Sequence, residues 1–90
     1  MFEITYHRKI RDDISTLSRA TRSAMHKAIV EKLTDSPALF GKPLRFSLAG
    51  LRSLRVGDYR VIFELKKNEV FVVLIAHRSV VYKSVRRGKR

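Results

Sequence analysis

The fold is decided by residues 51–78, whose sequence is LRSLRVGDYRVIFELKKNEVFVVLIAHR. Apolar and polar residues alternate through much of this stretch, which is the period of a β-strand. Gly57-Asp58 and Lys67-Asn68 interrupt the alternation, and each pair is short enough for a tight turn between antiparallel strands. We therefore predict three consecutive antiparallel strands, at residues 51–56, 59–66 and 69–78.

The middle and last of these strands differ in how their faces are composed. In the middle strand, alternation places Tyr59, Val61, Phe63 and Leu65 on one face and Arg60, Ile62 and Glu64 on the other. The last strand is apolar on both faces between residues 70 and 76. A strand of that kind belongs in the interior of a sheet, with helices covering at least one side.

The upstream sequence completes the fold. Residues 2–6 alternate as a strand, and the apolar spacing changes to three and four residues afterwards, which predicts a helix over residues 8–17. A second helix, capped by Ser18 or Thr21, ends near Pro37, because proline disfavours a helical conformation in the residue before it.

Residues 35–50 contain two prolines and two glycines, which predicts an irregular connection. The element order is then β-α-α-β-β-β. The sequence predicts an α+β fold in which a helical hairpin packs on a four-stranded, mainly antiparallel sheet.

Length and composition limit the class of protein. Ninety residues leave room for one core, so we expect a single domain over residues 1–90. The absence of cysteine excludes a disulfide scaffold, a thiolate metal site and a cysteine nucleophile, and it favours a cytoplasmic protein. The longest apolar run, residues 70–76, is too short to cross a bilayer, and residues 1–4 do not resemble the start of a signal peptide.

The charge of the chain is +12, and it is unevenly distributed. Residues 1–36 have a net charge of +2, whereas residues 37–90 have a net charge of +10. A surface of this sign attracts nucleic acid or an acidic protein, and these two partners do not exclude each other. Residues 86–90 hold four bases and are expected to form a flexible tail that adds affinity for a nucleic acid partner.

The sequence has no glycine-rich phosphate loop, no Gly-x-Ser-x-Gly elbow and no His-Glu-x-x-His pair, and its three histidines are far apart. We therefore expect no metal or other cofactor. What remains is a group of basic residues on the predicted strands, with an imidazole and a phenol near the last of them: Arg52, Arg55, Arg60, Arg78, His77 and Tyr82.

Arginines inside apolar strands are unfavourable unless they have an anionic partner. One interpretation is that Arg60 pairs with Glu64 on a solvated sheet face. The other is that several arginines converge on the uncovered face of the sheet and form a phosphate site. Alternation puts Arg52 and Arg55 on opposite faces, and His77 and Arg78 cannot both face one site in a regular strand.

The motif Leu54-Arg55-Val56-Gly57-Asp58-Tyr59-Arg60, followed by His77-Arg78 and Val81-Tyr82, resembles the RelE branch of the RelE/ParE toxin superfamily over nearly the whole chain. The resemblance implies a type II toxin that acts as a ribosome-dependent mRNA endonuclease, or mRNA interferase. Such a toxin inhibits translation by cleaving mRNA in the ribosomal A site, through attack of a 2′-OH on the adjacent phosphate and without a metal.

The resemblance also implies roles for individual residues. Arg60 would bind the substrate phosphate, and Arg78 would stabilise the transition state or protonate the leaving oxygen. Tyr82 would stack on the substrate and could act as general base, with His77 sharing the acid or base role. The expected RNA-binding residues are Arg45, Arg52, Arg55 and Lys83. The expected partners are the ribosome, mRNA and an acidic, partly disordered RelB-like antitoxin in a hetero-oligomer.

Two positions depart from the pattern of well-studied RelE toxins, because Leu51 and Ser53 stand where those proteins carry lysines. This departure leaves a weak or inactive RNA-binding toxin as one alternative. A ParE-like inhibitor of DNA gyrase, with no nuclease chemistry, is another. Replacing Arg78 and Tyr82 by alanine distinguishes these functions, since only the nuclease requires both side chains.

Overall fold

The computed structural model describes residues 1–43, 50–81 and 83. Their strands are β1 (Glu3–Tyr6), β2 (Lys42–Pro43), β3 (Leu51–Val56), β4 (Tyr59–Leu65) and β5 (Glu69–His77). Their helices are α1 (Ile10–Ile14), α2 (Arg19–Leu33) and α3 (Pro37–Phe40), all between β1 and β2. The predicted functional residues Arg45 and Tyr82, and the predicted tail at residues 86–90, lie outside the described residues.

The strands form one sheet in the order β1-β5-β4-β3-β2. β1 is parallel to β5, and every other pair is antiparallel. This arrangement confirms the α+β class, the mainly antiparallel sheet and the interior position of β5. The sheet has five strands rather than four, because Lys42 and Pro43 pair with Ser53 and Arg52 at the edge of β3.

The helices cover one face of the sheet. The alternating residues Val61 and Phe63 of β4 are fully buried there, against a helical layer that includes Met25, Ile29 and Leu33 of α2. Asp13 of α1 accepts a hydrogen bond from the backbone N–H of Ile75 in β5 at 3.0 Å. The predicted division of β4 into a helix-facing side and an opposite side is therefore confirmed.

The opposite face was expected to be uncovered, and part of it is not. Ile62 of β4, Leu74 of β5 and Val81 form a second buried cluster, in which Ile62 and Val81 have no exposed surface. The chain turns back after β5 and lays Val81 on these two side chains. The covering turn escapes a prediction based on periodicity, because two adjacent valines in a short segment, Val80 and Val81, show no period that tells which of them is buried.

The ends of the helices also differ from the prediction. α1 is restricted to Ile10–Ile14, which is shorter than the predicted 8–17. Ser18 caps α2, since its Oγ accepts a hydrogen bond from the N–H of Thr21 at 3.1 Å. Pro37 begins α3 instead of an irregular segment, because a proline is tolerated in the first turn of a helix. Within the described part of the chain, no helix is long and apolar enough to span a bilayer.

Candidate nucleic-acid interface

Two arginines stand side by side on the sheet face opposite the helices. Arg55 of β3 and Arg60 of β4 are direct cross-strand partners in the antiparallel register. Side chains at such positions project from the same face, with Cβ atoms about 5 Å apart. Arg55 is exposed, and its Nε donates a hydrogen bond to the carbonyl of Gly57 at 3.2 Å, whereas Arg60 is half-buried.

A third arginine follows the end of β5. Ala76 is the cross-strand partner of Arg60 on the other side of β4, and the exposed Arg78 lies two residues further on, in the turn that begins where β5 ends. The N–H of Arg78 donates to the carbonyl of Asp58 at 2.8 Å, which holds its backbone beside the β3–β4 turn. We call the surface formed by Arg55, Arg60 and Arg78 the arginine face.

The arginine face has no carboxylate partner among the described residues. Glu64, which alternation along β4 suggested as a partner for Arg60, lies 3.9 Å from the Nζ of Lys66 instead. That contact is the one ion pair within residues 1–43, 50–81 and 83. The guanidinium groups are therefore neutralised neither by Glu64 nor by any other described acid.

His77 lies on the other face of the sheet. It is the cross-strand partner of Tyr59, and the two rings meet edge to face with centroids 5.5 Å apart. Its Nδ1 accepts a hydrogen bond from the N–H of Ser79 at 3.1 Å and lies 2.8 Å from the Ser79 Oγ. The register therefore places His77 on the side of Tyr59, and Arg78 follows in the turn after the strand.

Arg52 is also separated from the arginine face. It pairs with Phe63, a residue of the helix-facing core, and its Nη1 donates to the carbonyl of Gly41 at 2.9 Å. This bond ties the start of β2 to β3. The predicted separation of Arg52 from Arg55 is seen, and Lys83 is exposed two residues beyond the buried Val81.

Two residues that were not among the predicted RNA-binding residues lie beside the arginine face, and one of them is Ser53, which stands where well-studied RelE toxins carry a lysine. Lys42 of β2 is exposed and is the cross-strand partner of Ser53. Ser53 is 4% exposed, and its Oγ has no hydrogen-bond partner among the described residues. Sequence periodicity carries no signal for Lys42, because a two-residue strand is too short to alternate.

A separate pocket of about 240 Å³ opens between the helices and the sheet, lined by Tyr6, Ile10, Ile14, Arg22, Met25, His26, Ile29 and Ile75. Burial in this region raises the pKa of Tyr6. The lining is mainly apolar. Within the described ranges, the histidine and acidic side chains form no group of three or more that could hold a metal ion.

Comparison with known proteins identifies the family. A family model described as the ParE toxin of the type II toxin–antitoxin system parDE matches residues 4–82. Toxin RelE of Mycobacterium tuberculosis is 36% identical over 73 residues, which cover 79% of this chain and 75% of that protein. The chain is a RelE-like toxin of the RelE/ParE superfamily.

Two further comparisons agree with this assignment. Toxin RelG of M. tuberculosis is 29% identical to the RelE-like toxin over 84 residues, covering 91% of this chain and 97% of that protein. A chain in the crystal structure of the M. tuberculosis toxin–antitoxin complex RelBE2 superposes with a TM-score of 0.78 at 28% identity. That match covers 86% of this chain and 98% of the other. The resemblance inferred from the sequence motif is confirmed.

Proposed function

We propose that this RelE-like toxin is a metal-independent endoribonuclease that cleaves mRNA in the A site of the ribosome. The observation that carries the proposal is the arginine face. Arg55 and Arg60 stand in direct register, and Arg78 is held beside the same end of the sheet. The family assignment supports a toxin, and the arginine face supports a phosphate-containing target.

The placement of these arginines is unfavourable in the free protein. Like charges directly opposite each other on a sheet destabilise the fold by about 0.2–1 kcal/mol. Partial burial of Arg60 adds a desolvation cost that no described carboxylate offsets. Natural proteins depart from such rules mainly at functional sites. A bound phosphate would remove both costs at once, because it accepts hydrogen bonds from guanidinium groups in a bidentate manner.

The reaction we propose needs charge stabilisation more than any other contribution. A ribose 2′-oxygen attacks the adjacent phosphorus while the bond from phosphorus to the 5′-oxygen breaks. The products are a 2′,3′-cyclic phosphate and a 5′-hydroxyl. Negative charge accumulates on the phosphate oxygens in the transition state, and guanidinium groups fixed in advance stabilise that charge. Arg60 would bind the phosphate and Arg78 would face its developing charge.

The proton transfers require a base that takes the 2′-OH proton and an acid that protonates the 5′-oxygen. Tyr82 remains our candidate for stacking on the substrate and for one of these transfers. His77 is better suited to a positioning role. Its Nδ1 accepts from the Ser79 N–H, and this bond shapes the turn that presents Arg78. A ring that accepts at Nδ1 leaves only its Nε2 to donate a proton.

The electrostatic surroundings favour a ribosomal target. The net charge of +12 attracts ribosomal RNA from solution, and the attraction weakens as salt is added. Arg55, the exposed Lys83 and Arg45 would supply further contacts to RNA backbone. Arg52 would contribute indirectly, through the hydrogen bond that holds Gly41 and β2 in place. Action on translating ribosomes places the protein in the cytoplasm.

We also propose a RelB-like antitoxin as the natural partner. The M. tuberculosis relative of known structure was crystallised as a toxin–antitoxin complex. An acidic, partly disordered antitoxin segment could neutralise the arginine face and form a hetero-oligomer with the toxin. Occupation of the face by carboxylates would prevent RNA binding.

Inhibition of DNA gyrase is the competing function, and one observation favours it. The family model that matches residues 4–82 is that of ParE toxins. A gyrase inhibitor would act by binding protein and would not need Arg60 and Arg78 as a phosphate site.

The deciding experiment is induced expression in bacteria, with mapping of mRNA 5′ ends and measurement of plasmid supercoiling. We expect new 5′ ends within coding regions, growth arrest, and unchanged supercoiling. Arg60→Gln and Arg78→Ala should abolish both the cleavage and the arrest. Lys27→Gln, on the exposed side of α2, removes one positive charge away from the arginine face and should retain both. Arrest by the double variant Arg60→Gln/Arg78→Ala, with loss of supercoiling, would establish the gyrase alternative.

A further inference from the structure

Lys42 and Ser53 continue the arginine face toward the edge of the sheet. Ser53 precedes Arg55 by two residues on β3, so the two side chains share a face. Lys42 is the partner of Ser53 on the outer strand β2. Lys42 therefore stands diagonally across from Arg55, and diagonal neighbours on a sheet face lie about 7–8 Å apart.

The Ser53 hydroxyl indicates that this extension has a ligand. It is buried, with 4% of the residue exposed, and it has no hydrogen-bond partner among the described residues. An unpaired buried hydroxyl destabilises a protein, and such groups are rare in native structures. A hydroxyl that donates to a bound phosphate would account for the presence of a polar residue at this position.

The backbone before Lys42 is fixed on both sides. The N–H of Gly41 donates to the carbonyl of Pro37 at 2.9 Å, and the carbonyl of Gly41 accepts from Arg52 at 2.9 Å. Lys42 is exposed, and it takes no part in an ion pair with the described acids. Its ammonium group is thus available to an anion while its backbone stays in register.

We propose that Lys42, with the Ser53 hydroxyl beside it, binds a second phosphate of the RNA strand that lies on the arginine face. The inference rests on the proposed function for the class of ligand, a single-stranded RNA. Arg55 and Arg60 hold one phosphate, and Lys42 holds the neighbouring phosphate nearer the edge of the sheet. Ser53 donates its hydroxyl proton to an oxygen of that second phosphate.

Salt dependence tests the role of Lys42 without relying on cleavage. The probe is a fluorescein-labelled 12-nucleotide RNA without secondary structure, and its binding to the purified toxin is followed by anisotropy between 50 and 300 mM NaCl. Log affinity falls as log salt concentration rises, and for a single strand each phosphate contact makes this fall steeper by about 0.7. We expect the steepness of this slope to decrease by about 0.7 in Lys42→Gln and to keep its wild-type value in Lys42→Arg. The control Lys27→Gln should leave the slope unchanged.

The Ser53→Ala variant tests the hydroxyl. The Ser53 hydroxyl has no described hydrogen-bond partner in the free protein, so its removal breaks no bond there. The melting temperature of Ser53→Ala should therefore equal or exceed that of the wild type. Its affinity for the RNA should fall about fivefold at constant slope, which corresponds to one hydrogen bond of about 1 kcal/mol.

The inference is overturned if Lys42→Gln has the wild-type slope, or if Lys27→Gln lowers the slope equally. It is also overturned if Ser53→Ala binds RNA as tightly as the wild type. Cleavage on ribosomes is measured separately on the same proteins. If the wild-type toxin does not cleave mRNA but Lys42→Gln weakens the salt dependence of RNA binding, the proposed nuclease is refuted and this inference is supported. If the wild-type toxin cleaves mRNA and Lys42→Gln leaves the salt dependence unchanged, only this inference is refuted.

Discussion

Replacing Gly41 by alanine should disrupt the junction between α3 and β2, and the structure shows why. A Cβ atom at this position would lie 2.1 Å from Cζ and 2.6 Å from Cε1 of Phe63, and 3.0 Å from the carbonyl oxygen of Pro37. Phe63 has no exposed surface, so its ring is enclosed by the core and cannot move away from the new Cβ into solvent. The φ angle of Gly41 is −99°, which alanine adopts easily, so the effect arises from the steric clash alone.

The expected loss of stability follows from overpacking. Forcing extra atoms into a filled core costs typically about 1–3 kcal/mol, and contacts this close place Gly41→Ala at about 3 kcal/mol. For a domain of this size, each kcal/mol lowers the melting temperature by about 4–8 °C. We therefore expect a decrease of about 12–24 °C. The clash also displaces β2, so the affinity for RNA that depends on Lys42 should fall.

Urea unfolding of four variants checks the reasoning: Gly41→Ala, Gly50→Ala, Phe63→Leu and Gly41→Ala/Phe63→Leu. Gly50 has a φ of 69°, and a Cβ added to it would meet no atom within 4 Å. Gly50→Ala therefore tests backbone strain without a clash and should cost about 1 kcal/mol. Phe63→Leu replaces the ring by a shorter side chain and so makes room for the Cβ of the new alanine. The double variant Gly41→Ala/Phe63→Leu should therefore lose less unfolding free energy than the two single variants lose in sum. If Gly41→Ala is no less stable than Gly50→Ala, or the double variant shows simple additivity, the steric account is refuted.

Three further predictions concern other parts of the fold. Arg60→Gln should stabilise the free toxin by up to about 1 kcal/mol in urea unfolding, because it relieves repulsion from Arg55; a loss of stability would contradict that repulsion. Asp13→Ala should lower the free energy of unfolding by about 2 kcal/mol, because the N–H of Ile75 loses its charged acceptor. The control Asp12→Ala should change it by less than about 0.5 kcal/mol, and equal effects of the two variants would refute the role of the acceptor. Burial raises the pKa of Tyr6, so the unfolded state loses this proton first as pH rises, and stability should decrease above about pH 10. Tyr6→Phe should reduce that alkaline decrease, and an unchanged pH profile would contradict it.

The strands that carry the site were predictable because each is long enough to show a period. β3 has the predicted bounds, and the alternation of β4 correctly separated Arg60 and Ile62 from Val61 and Phe63. β5 ends at His77, one residue before its predicted end, so Arg78 belongs to the following turn and not to the alternating strand.

The rest depended on contacts that local sequence does not encode. β2 has two residues, and the contacts beside its pairing with β3 are the Arg52–Gly41 hydrogen bond and the close approach of Gly41 to Phe63. No local pattern therefore places Lys42 near Ser53. Val81 was not expected to bury Ile62, since the sequence does not distinguish it from the neighbouring Val80, which is exposed.

The most direct test of the account uses purified ribosomes carrying an mRNA with an empty A site. Wild-type toxin and Arg60→Gln are added, and new mRNA 5′ ends are measured over time by primer extension. We predict 5′-hydroxyl ends within the A-site codon for the wild type and a rate at least about 100-fold lower for Arg60→Gln, the effect of removing one group that stabilises transition-state charge. Equal rates for the two proteins, or no cleavage by the wild type, would contradict the assignment of the arginine face as the site of RNA cleavage.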